Sequence, residues 1–385
     1  MLDRRHFLAL SGAALAMPGL AGAADSWDDD FAAFVAKGLA DTKTPGLGVA
    51  MVKQGRTILA RGYGMADIAA QRPVNADTLF HIASVSKTVT ATAAMMLAQD
   101  GRFGFDDAVN DHLDFKVVHP RFPDTPITIR QLMTHTSGID DKVYYATDAF
   151  SNTGDPVIGL RDFLTGYLTP GGQWYDADGC FAAQPGTVWK YSNVAVALLG
   201  YLAGRFGDDL KALTQKRLFA PLGMHDTSWT YAGLDPARVA TPYNTSGDTP
   251  EALPPTGYPD WPAGLLRTSP NDFARFLAIY TTGGALDGTT YLSADTLTTM
   301  LAPQPVLPDP ADPSISQALI WSWRQFDSYK VFLHGGGDPG ASTLAMVDPD
   351  HGTAILIFAN GAGNADFSAF RKQLVTRMLD RAAAI

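Results

Sequence analysis

Two residue types are nearly missing from this chain of 385 residues. Cysteine occurs once, as Cys180, so no internal disulfide can form and no thiol pair is available to a metal. Glutamate also occurs once, as Glu251, which leaves aspartate to supply the other 38 of the 39 acidic residues. The histidines show no H-E-x-x-H or other paired helical spacing, so no metal site is expected. A G-x-S-x-G elbow and a phosphate-binding loop are both absent, which removes the α/β-hydrolase and nucleotide-hydrolase readings. Gly335, Gly337 and Gly340 do satisfy G-x-G-x-x-G, but Pro339 interrupts the segment and a strand-like "STLAMV" follows where a helix is required. No dinucleotide and no other cofactor is therefore expected. Basic residues are outnumbered 29 to 39, a formal net charge of −10, which argues against nucleic acid and anionic lipid as partners.

The longest apolar run near the start, Phe7 to Leu20, has fourteen residues, short of the roughly 20 a spanning helix needs. It follows Arg4 and Arg5 and precedes the small triplet Ala21, Gly22, Ala23. This pattern predicts an export signal over residues 1–23, removed after Ala23, with a periplasmic or secreted destination and no membrane span after cleavage. The arginine pair before His6, Phe7 and Leu8 resembles a twin-arginine signal, with Asp3 departing from the usual Ser or Thr. Loss of Asp3, Arg4 and Arg5 removes +1, giving a mature charge of −10 − (+1) = −11.

What is present is a composition for a well-packed globule, 46% hydrophobic and 18% charged, of one or two domains sharing a cleft. After a helix expected over Trp27 to Leu39, "GLGVAMVKQGRTILARGYGMADI" reads as a hairpin turning at Gln54 and Gly55. Near the other end "ALIWSWRQF", "YKVFLHG", "STLAMVDP" and "TAILIFAN" read as further strands of an antiparallel sheet. Phe367, Phe370, Leu374 and Met378 then mark one face of a covering helix. Both chain ends are thus expected to build one sheet subdomain, 24–82 with 315–385, around a mainly helical insertion, 83–314, in an α/β fold. Within the insertion, Ser269 is an expected N-cap with Pro270 in the first turn. The proline-rich stretches 245–262 and 302–316 are expected to wall the cleft.

Ser84 and Lys87 stand three residues apart at the start of a helix that is apolar all round from Ala93 to Ala98. That spacing puts both side chains on one face. Serine is a poor nucleophile at neutral pH, and lysine serves as its base only when burial or a neighbouring cation favours the neutral amine. S-x-x-K alone is a weak signal, equally satisfied by Ser84 as a helix cap and Lys87 in solvent.

Two more clusters accompany it in order: Tyr191 with Asn193 before an apolar helix, and His334 with Gly336 at the end of a strand. Together with "GYGMAD", "LMTHTSGI", "PLGMHDTSW" and "PAGLLRTSPNDFARFL", the chain resembles the penicillin-recognising serine hydrolases: class C β-lactamases, D-alanyl-D-alanine carboxypeptidases, D-aminopeptidases and β-lactamase-like esterases. The resemblance spans nearly all of the mature chain and implies a β-lactamase-like fold, an antiparallel sheet flanked by helices. It implies further that Ser84 forms an acyl-enzyme, that Lys87 and Tyr191 share its proton, and that Asn193 bonds Lys87 or the substrate amide. An oxyanion hole would use the backbone N–H of Ser84 and of Gly337, after Gly336, with the register among the three glycines open by one residue. Class C β-lactamases carry lysine where His334 stands, while histidine occurs there in some carboxypeptidases, aminopeptidases and esterases of the family. The glutamate by which class A enzymes activate water has no counterpart, since Glu251 lies in an unrelated context.

The resemblance therefore implies an exported serine hydrolase acting on a small-molecule or peptide substrate, foremost on D-amino-acid peptides. A carboxylesterase of short acyl chains and a penicillin-binding sensor that acylates without turnover are the alternatives. Tyr144, Tyr145, Phe150, Trp174, Tyr175, Phe181, Tyr258 and Trp261 are candidates to line the acyl side, although most are expected to pack the helical part, and His135 is expected to be structural.

Overall fold

The computed structural model describes residues 22–207, 209–305, 315–361 and 363–385. Most of the proposed signal, residues 1–21, lies outside them.

Eight strands form one sheet: β1 (Gly46–Lys53), β2 (Arg56–Asp67), β3 (Arg72–Pro73), β4 (Ser316–Gln317), β5 (Ser322–Phe326), β6 (Tyr329–Asp338), β7 (Ala341–Asp348) and β8 (Thr353–Ala359). Their spatial order is β4-β5-β6-β7-β8-β1-β2-β3, antiparallel throughout. Strands from the two ends of the chain meet where β1 pairs with β8. The turn between β1 and β2 holds Gln54 and Gly55 at φ +46° and +80°, the left-handed pair that a two-residue hairpin requires.

Side chains alternate between two cores, as the period of a strand demands. Val49, Met51, Ile355 and Ile357 face α1 (Gly22–Thr42) and the C-terminal helix (Ala365–Ala384), which contribute Phe31, Val35, Phe367, Leu374 and Met378. Ala50, Val52, Leu356 and Phe358 face the other way, into the larger core shared with the helical part. Both faces of β7 and β8 are covered, so every residue of the two strands is buried and their centres, Leu344 to Val347 and Ala354 to Ala359, are apolar throughout.

Three more helices place the site. In chain order they are α2 (Ser86–Gln99), α3 (Asn193–Gly204) and α4 (Pro270–Thr281), with the C-terminal helix as α5. α2 runs buried from Ser86 to Leu97 against α3, so its greasy sequence matches a path through the core. α4 is capped by the Ser269 hydroxyl, which accepts the Asp272 N–H at 3.1 Å. The expected division at residue 314 would leave α4 in the helical insertion, but it packs on β1, β2 and β8. The reason is its apolar face of Phe273, Phe276, Leu277 and Ile279, which covers the side of the sheet opposite α1 and α5. Among the described residues no helix is long and apolar enough to cross a membrane.

Candidate active site

Ser84 does not cap α2. It occupies a short 3-10 turn, Ala83–Val85, that leads into the helix, and Val85 is the residue at the cap. Ala83 holds φ +46°, a left-handed conformation that costs a non-glycine residue roughly 1–2 kcal/mol and persists only where the surroundings impose it. Those surroundings are visible. Phe80–His81 pairs with Arg267–Thr268, the Ile82 N–H donates to Leu266 O at 3.0 Å, and Ile82 O accepts Thr343 Oγ1 from β7 at 2.7 Å.

Lys87, one turn on, is fully buried. Its Nζ lies 2.9 Å from Ser84 Oγ and 2.6 Å from Ala263 O, and 5.0 Å from the centre of the Tyr191 ring. Burial lowers its pKa to about 7 against the opposing pull of Asp260, Asp141 and Asp338. A lysine in this state supplies a neutral amine near physiological pH, in hydrogen-bond reach of a hydroxyl.

Tyr191 precedes α3 and is held by His135, whose ring lies 4.4 Å from it, centre to centre. His135 itself has φ +57° and accepts the Ser192 N–H on Nδ1 at 3.3 Å; burial, then Lys87 and His334, keep it neutral. The Tyr191 hydroxyl is hydrogen-bonded to Ser84, but burial first, then Asp141 and Asp260, push its pKa well above the ordinary phenol value. Of the two groups implied to share the Ser84 proton, Tyr191 thus keeps its own and Lys87 is the better base.

Asn193 does not reach Lys87. Its side-chain amide donates to the Tyr145 hydroxyl at 2.5 Å, while its backbone N–H donates to Asp141 Oδ2 at 2.6 Å. The buried Asp141 also takes Ser192 Oγ at 2.6 Å and the Val194 N–H at 3.3 Å, so one carboxylate ties the 139–145 loop to the first turn of α3. Its pKa is raised by burial despite those donors.

His334, implied by the resemblance to bind substrate, lines the second cavity at Ser84. It lies on β6 beside the site, but it is buried, bonds Gly335 O through Nδ1 at 2.7 Å, and has its pKa brought down to about 3 by burial and then by Lys87. A neutral ring cannot stand in for the lysine cation that occupies this place in class C enzymes.

The glycines after it do different work. A side chain on Gly336 would meet Thr343 Oγ1 at 2.2 Å, Ile82 O at 2.6 Å and Ser84 N at 3.1 Å, so only glycine lets β6 approach the nucleophile's turn. Gly337 has nothing within 4 Å of its side-chain position and opens to the cleft. Beyond Leu333 the outer edge of β6 has no strand paired to it among the described residues, leaving backbone groups of the glycine segment for a bound substrate.

Two cavities join at Ser84, Tyr191 and Gly337. One, of about 560 Å³, is walled by Tyr144, Tyr145, Phe150 and Tyr258; the other, of about 370 Å³, contains His334, His135 and Trp189. Of the candidate aromatics, Phe181 and Trp261 are instead buried in the core, with Trp174 and Tyr175 packed against it. Leu253, Pro254 and Thr256 from the first proline-rich stretch line the larger cavity; much of the second stretch, 306–314, is outside the described residues.

Sequence reasoning missed Asp141, Asp260, Asp338 and His81. Asp260 Oδ1 accepts the Tyr144 hydroxyl at 2.7 Å, and Asp338 Oδ2 accepts from His81 Nε2 at 2.8 Å and the Tyr258 hydroxyl at 3.0 Å. Burial raises the Asp260 pKa to about 7. Among the described residues no group of three or more His, Cys, Asp or Glu side chains is arranged to hold a metal ion.

Residues 31–377 match the family described as Beta-lactamase. The chain belongs to the β-lactamase family of serine hydrolases. It is 25% identical over 336 residues to penicillin-binding protein 4* of Bacillus subtilis, covering 83% of this chain and 69% of that protein. It is 34% identical over 211 residues to esterase EstB of Burkholderia gladioli, covering 52% of this chain and 50% of that one, so it spans about half of that relative's length. The D-amino acid amidase from Ochrobactrum anthropi SV3, solved in complex with D-phenylalanine, superposes with a TM-score of 0.73 at 22% identity, over 92% of this chain and 98% of that one. This last likeness is one of fold.

Proposed function

We propose that this protein is an exported serine hydrolase that cleaves the amide bond of D-amino-acid peptides or amides through an acyl-enzyme on Ser84. The observation that carries the reading is the buried Lys87, its amine 2.9 Å from Ser84 Oγ and its pKa brought down to about 7. Neutral Lys87 takes the Ser84 proton as Oγ attacks the carbonyl carbon, and a C–O bond forms. The resulting oxyanion is received by the N–H groups of Ser84 and Gly337, donors worth on the order of 3 kcal/mol each. As the C–N bond breaks, Tyr191 passes its proton to the departing amine and is reprotonated from Lys87. Water then attacks the ester, with Lys87 again the base, and Ser84 recovers its proton. No step calls on a cofactor.

The resemblance to D-alanyl-D-alanine carboxypeptidases and D-aminopeptidases, carried by Ser84 with Lys87, Tyr191 with Asn193 and His334 with Gly336, supports an amide substrate of D configuration, small molecule or peptide. The leader-like segment 1–23 supports export to the periplasm or beyond. A second reading, hydrolysis of short-chain esters, is favoured by the aromatic wall of Tyr144, Tyr145 and Phe150 and by the likeness to EstB.

The mature protein is tested with a peptide ending in D-Ala-D-Ala, a p-nitrophenyl ester and a chromogenic cephalosporin, following product and covalent mass together. Amide turnover with kcat/KM rising about a midpoint near pH 7, as Lys87 loses its proton, is the expected result. Ester turnover alone replaces the amide reading, and covalent mass without product points to a sensor. Ser84→Ala should abolish the covalent adduct in a folded protein; an adduct that persists removes Ser84 from the mechanism.

A further inference from the structure

Ser84 and the oxyanion donor at Gly337 reach the site on different segments, and one side-chain bond joins those segments. His81 ends the short strand Phe80–His81 and stands three residues before Ser84. Asp338 ends β6 and directly follows Gly337. His81 Nε2 donates to Asp338 Oδ2 at 2.8 Å, and the Tyr258 hydroxyl donates to the same oxygen at 3.0 Å. Among the described residues no other hydrogen bond joins β6 to residues 80–87; Thr343, which holds Ile82 O, belongs to β7. The turn beyond Asp338 has little play, because Gly340 holds φ +72° and a side chain there would meet Pro242 at 2.4 Å.

His81 also lines a cavity of about 20 Å³, together with Arg267 and Asn360. Each of the three brings a polar group with capacity to spare. With the proton on Nε2, His81 Nδ1 is an acceptor, and it is buried without a hydrogen-bond partner. Asn360 gives its Nδ2 to the carbonyls of Met65, Ala66 and Thr241 at 3.1, 3.3 and 3.0 Å, which fixes the amide, and its Oδ1 is likewise buried without a partner. Arg267 is 1% exposed and donates to Leu265 O at 3.3 Å and to Thr256 O at 2.8 Å, with N–H groups left over on its guanidinium. It pairs with His81 across the two strands, so their side chains share a face. Two acceptors and a donor around a space of that volume suit one water molecule, which donates twice and accepts once.

We propose that His81 is a positioning residue for the oxyanion hole: through Asp338 it clasps β6 to the turn that carries Ser84, and an ordered water in the small cavity, bonded to His81 Nδ1, Asn360 Oδ1 and Arg267, holds its ring in the donating tautomer. This rests on the acyl-transfer reading above and adds to it the group that keeps the Gly337 N–H within reach of the oxyanion. Gly336 lets β6 come close to the turn, and the clasp keeps it there from one residue beyond the donor. His81 itself touches no reacting atom. Oxyanion stabilisation acts only as charge develops on the carbonyl oxygen, so a loosened clasp lowers kcat and leaves ground-state binding nearly as it was.

The test is a double-mutant cycle of His81→Phe and Asp338→Ala, with His81→Gln as the conservative variant, since the amide nitrogen of glutamine reaches the place of the imidazole Nε2. Each single change of the cycle is expected to lower kcat for a p-nitrophenyl ester by about tenfold or more, at a KM within about threefold of the parent. The double variant should lose no more than the worse single, and His81→Gln should regain most of the loss. A kcat in His81→Phe within about threefold of the parent, losses that multiply in the double variant, or a loss carried by KM overturns the clasp. Thermal unfolding run beside the kinetics identifies a variant that fails to fold; should that be His81→Phe, His81→Asn, too short to reach Asp338, replaces it in the cycle. A high-resolution crystal structure should show one water within hydrogen-bond distance of His81 Nδ1 and Asn360 Oδ1, and a cavity without it overturns that part. If no ester, amide or cephalosporin acylates Ser84 in the parent, the acyl-transfer reading falls by itself. The clasp is then judged on the crystal structure of His81→Phe: Gly337 N drawn away from Ser84 N by about 0.5 Å or more keeps it, and an unmoved strand ends it.

Discussion

Lys87 sits where a lysine destabilises its own protein. In the unfolded chain its pKa is near 10.5, and in the folded chain it is about 7, so the unfolded state binds the extra proton between those values. Stability therefore falls as pH drops from above 10 to about 7 and is unaffected by this group below that. Lys87→Met keeps the volume and removes the penalty. The variant is expected to be inactive yet more stable at pH 7 by about 1–2 kcal/mol, with the advantage shrinking as pH approaches 10.5. Urea unfolding of both proteins at pH 7 and 9.5 measures it. A variant less stable than the parent at pH 7 would mean that Asp260 and Asp141 depend on the ammonium more than the ammonium suffers from burial. Charge at this scale was the least legible property of the sequence. Ser84, Lys87, Tyr191 and Gly336 stand out by residue type and order, whereas the protonation of His334 and Tyr191 depends on how deeply the fold buries them beside Lys87. Aspartate was uninformative for another reason: in a chain whose acids are nearly all aspartate, nothing local marks Asp141 or Asp260 as buried and Asp178 as exposed.

At the scale of elements, the site is a meeting of one strand with one turn. The chain strains Ala83 into a left-handed conformation, and β6 closes on that turn through Gly336. Gly336→Ala would place a methyl 3.1 Å from Ser84 N and 2.6 Å from Ile82 O, so strand and turn must separate. The expected cost is about 1–3 kcal/mol of stability and, through a misplaced oxyanion donor, about 10²-fold or more in kcat. Steady-state kinetics with the best substrate, beside thermal unfolding, separates the two effects. A kcat within threefold of the parent would show that the oxyanion hole does not depend on this contact. The strands themselves were readable as short apolar runs closed by turn residues, because a sheet with a core on each face buries every side chain, as at Val49 to Val52. The assignment of α4 was not, since an apolar helix face declares that it will be covered without saying by what; only the three-dimensional return of the chain to β1 and β8 decides it. The aromatics of 144–181 divided for the same reason, Tyr144 and Phe150 stacking 5.2 Å apart beside the cleft while Phe181 vanishes into the core.

The whole molecule is acidic, with a formal net charge of −10, and this general field must be told apart from the carboxylates of the cleft. A negative surface draws any cationic substrate, and that attraction is screened by salt over about 8 Å at physiological ionic strength. Asp260 is buried beside the cleft and Asp338 is half-buried at it, so salt screens both less than it screens charges on the open surface. Raising salt from about 0.05 to 0.5 M should therefore lower kcat/KM for a free-amine substrate by roughly two- to fourfold, through loss of the long-range term, and leave its N-acetyl partner nearly unchanged. A rate advantage of the free amine that survives at high salt would belong to the carboxylates at the cleft, Asp260 and Asp338, and not to the surface field. A preference that disappears entirely at high salt would assign it to the surface as a whole, and the cleft would then be selecting its substrate by shape and aromatic contact alone.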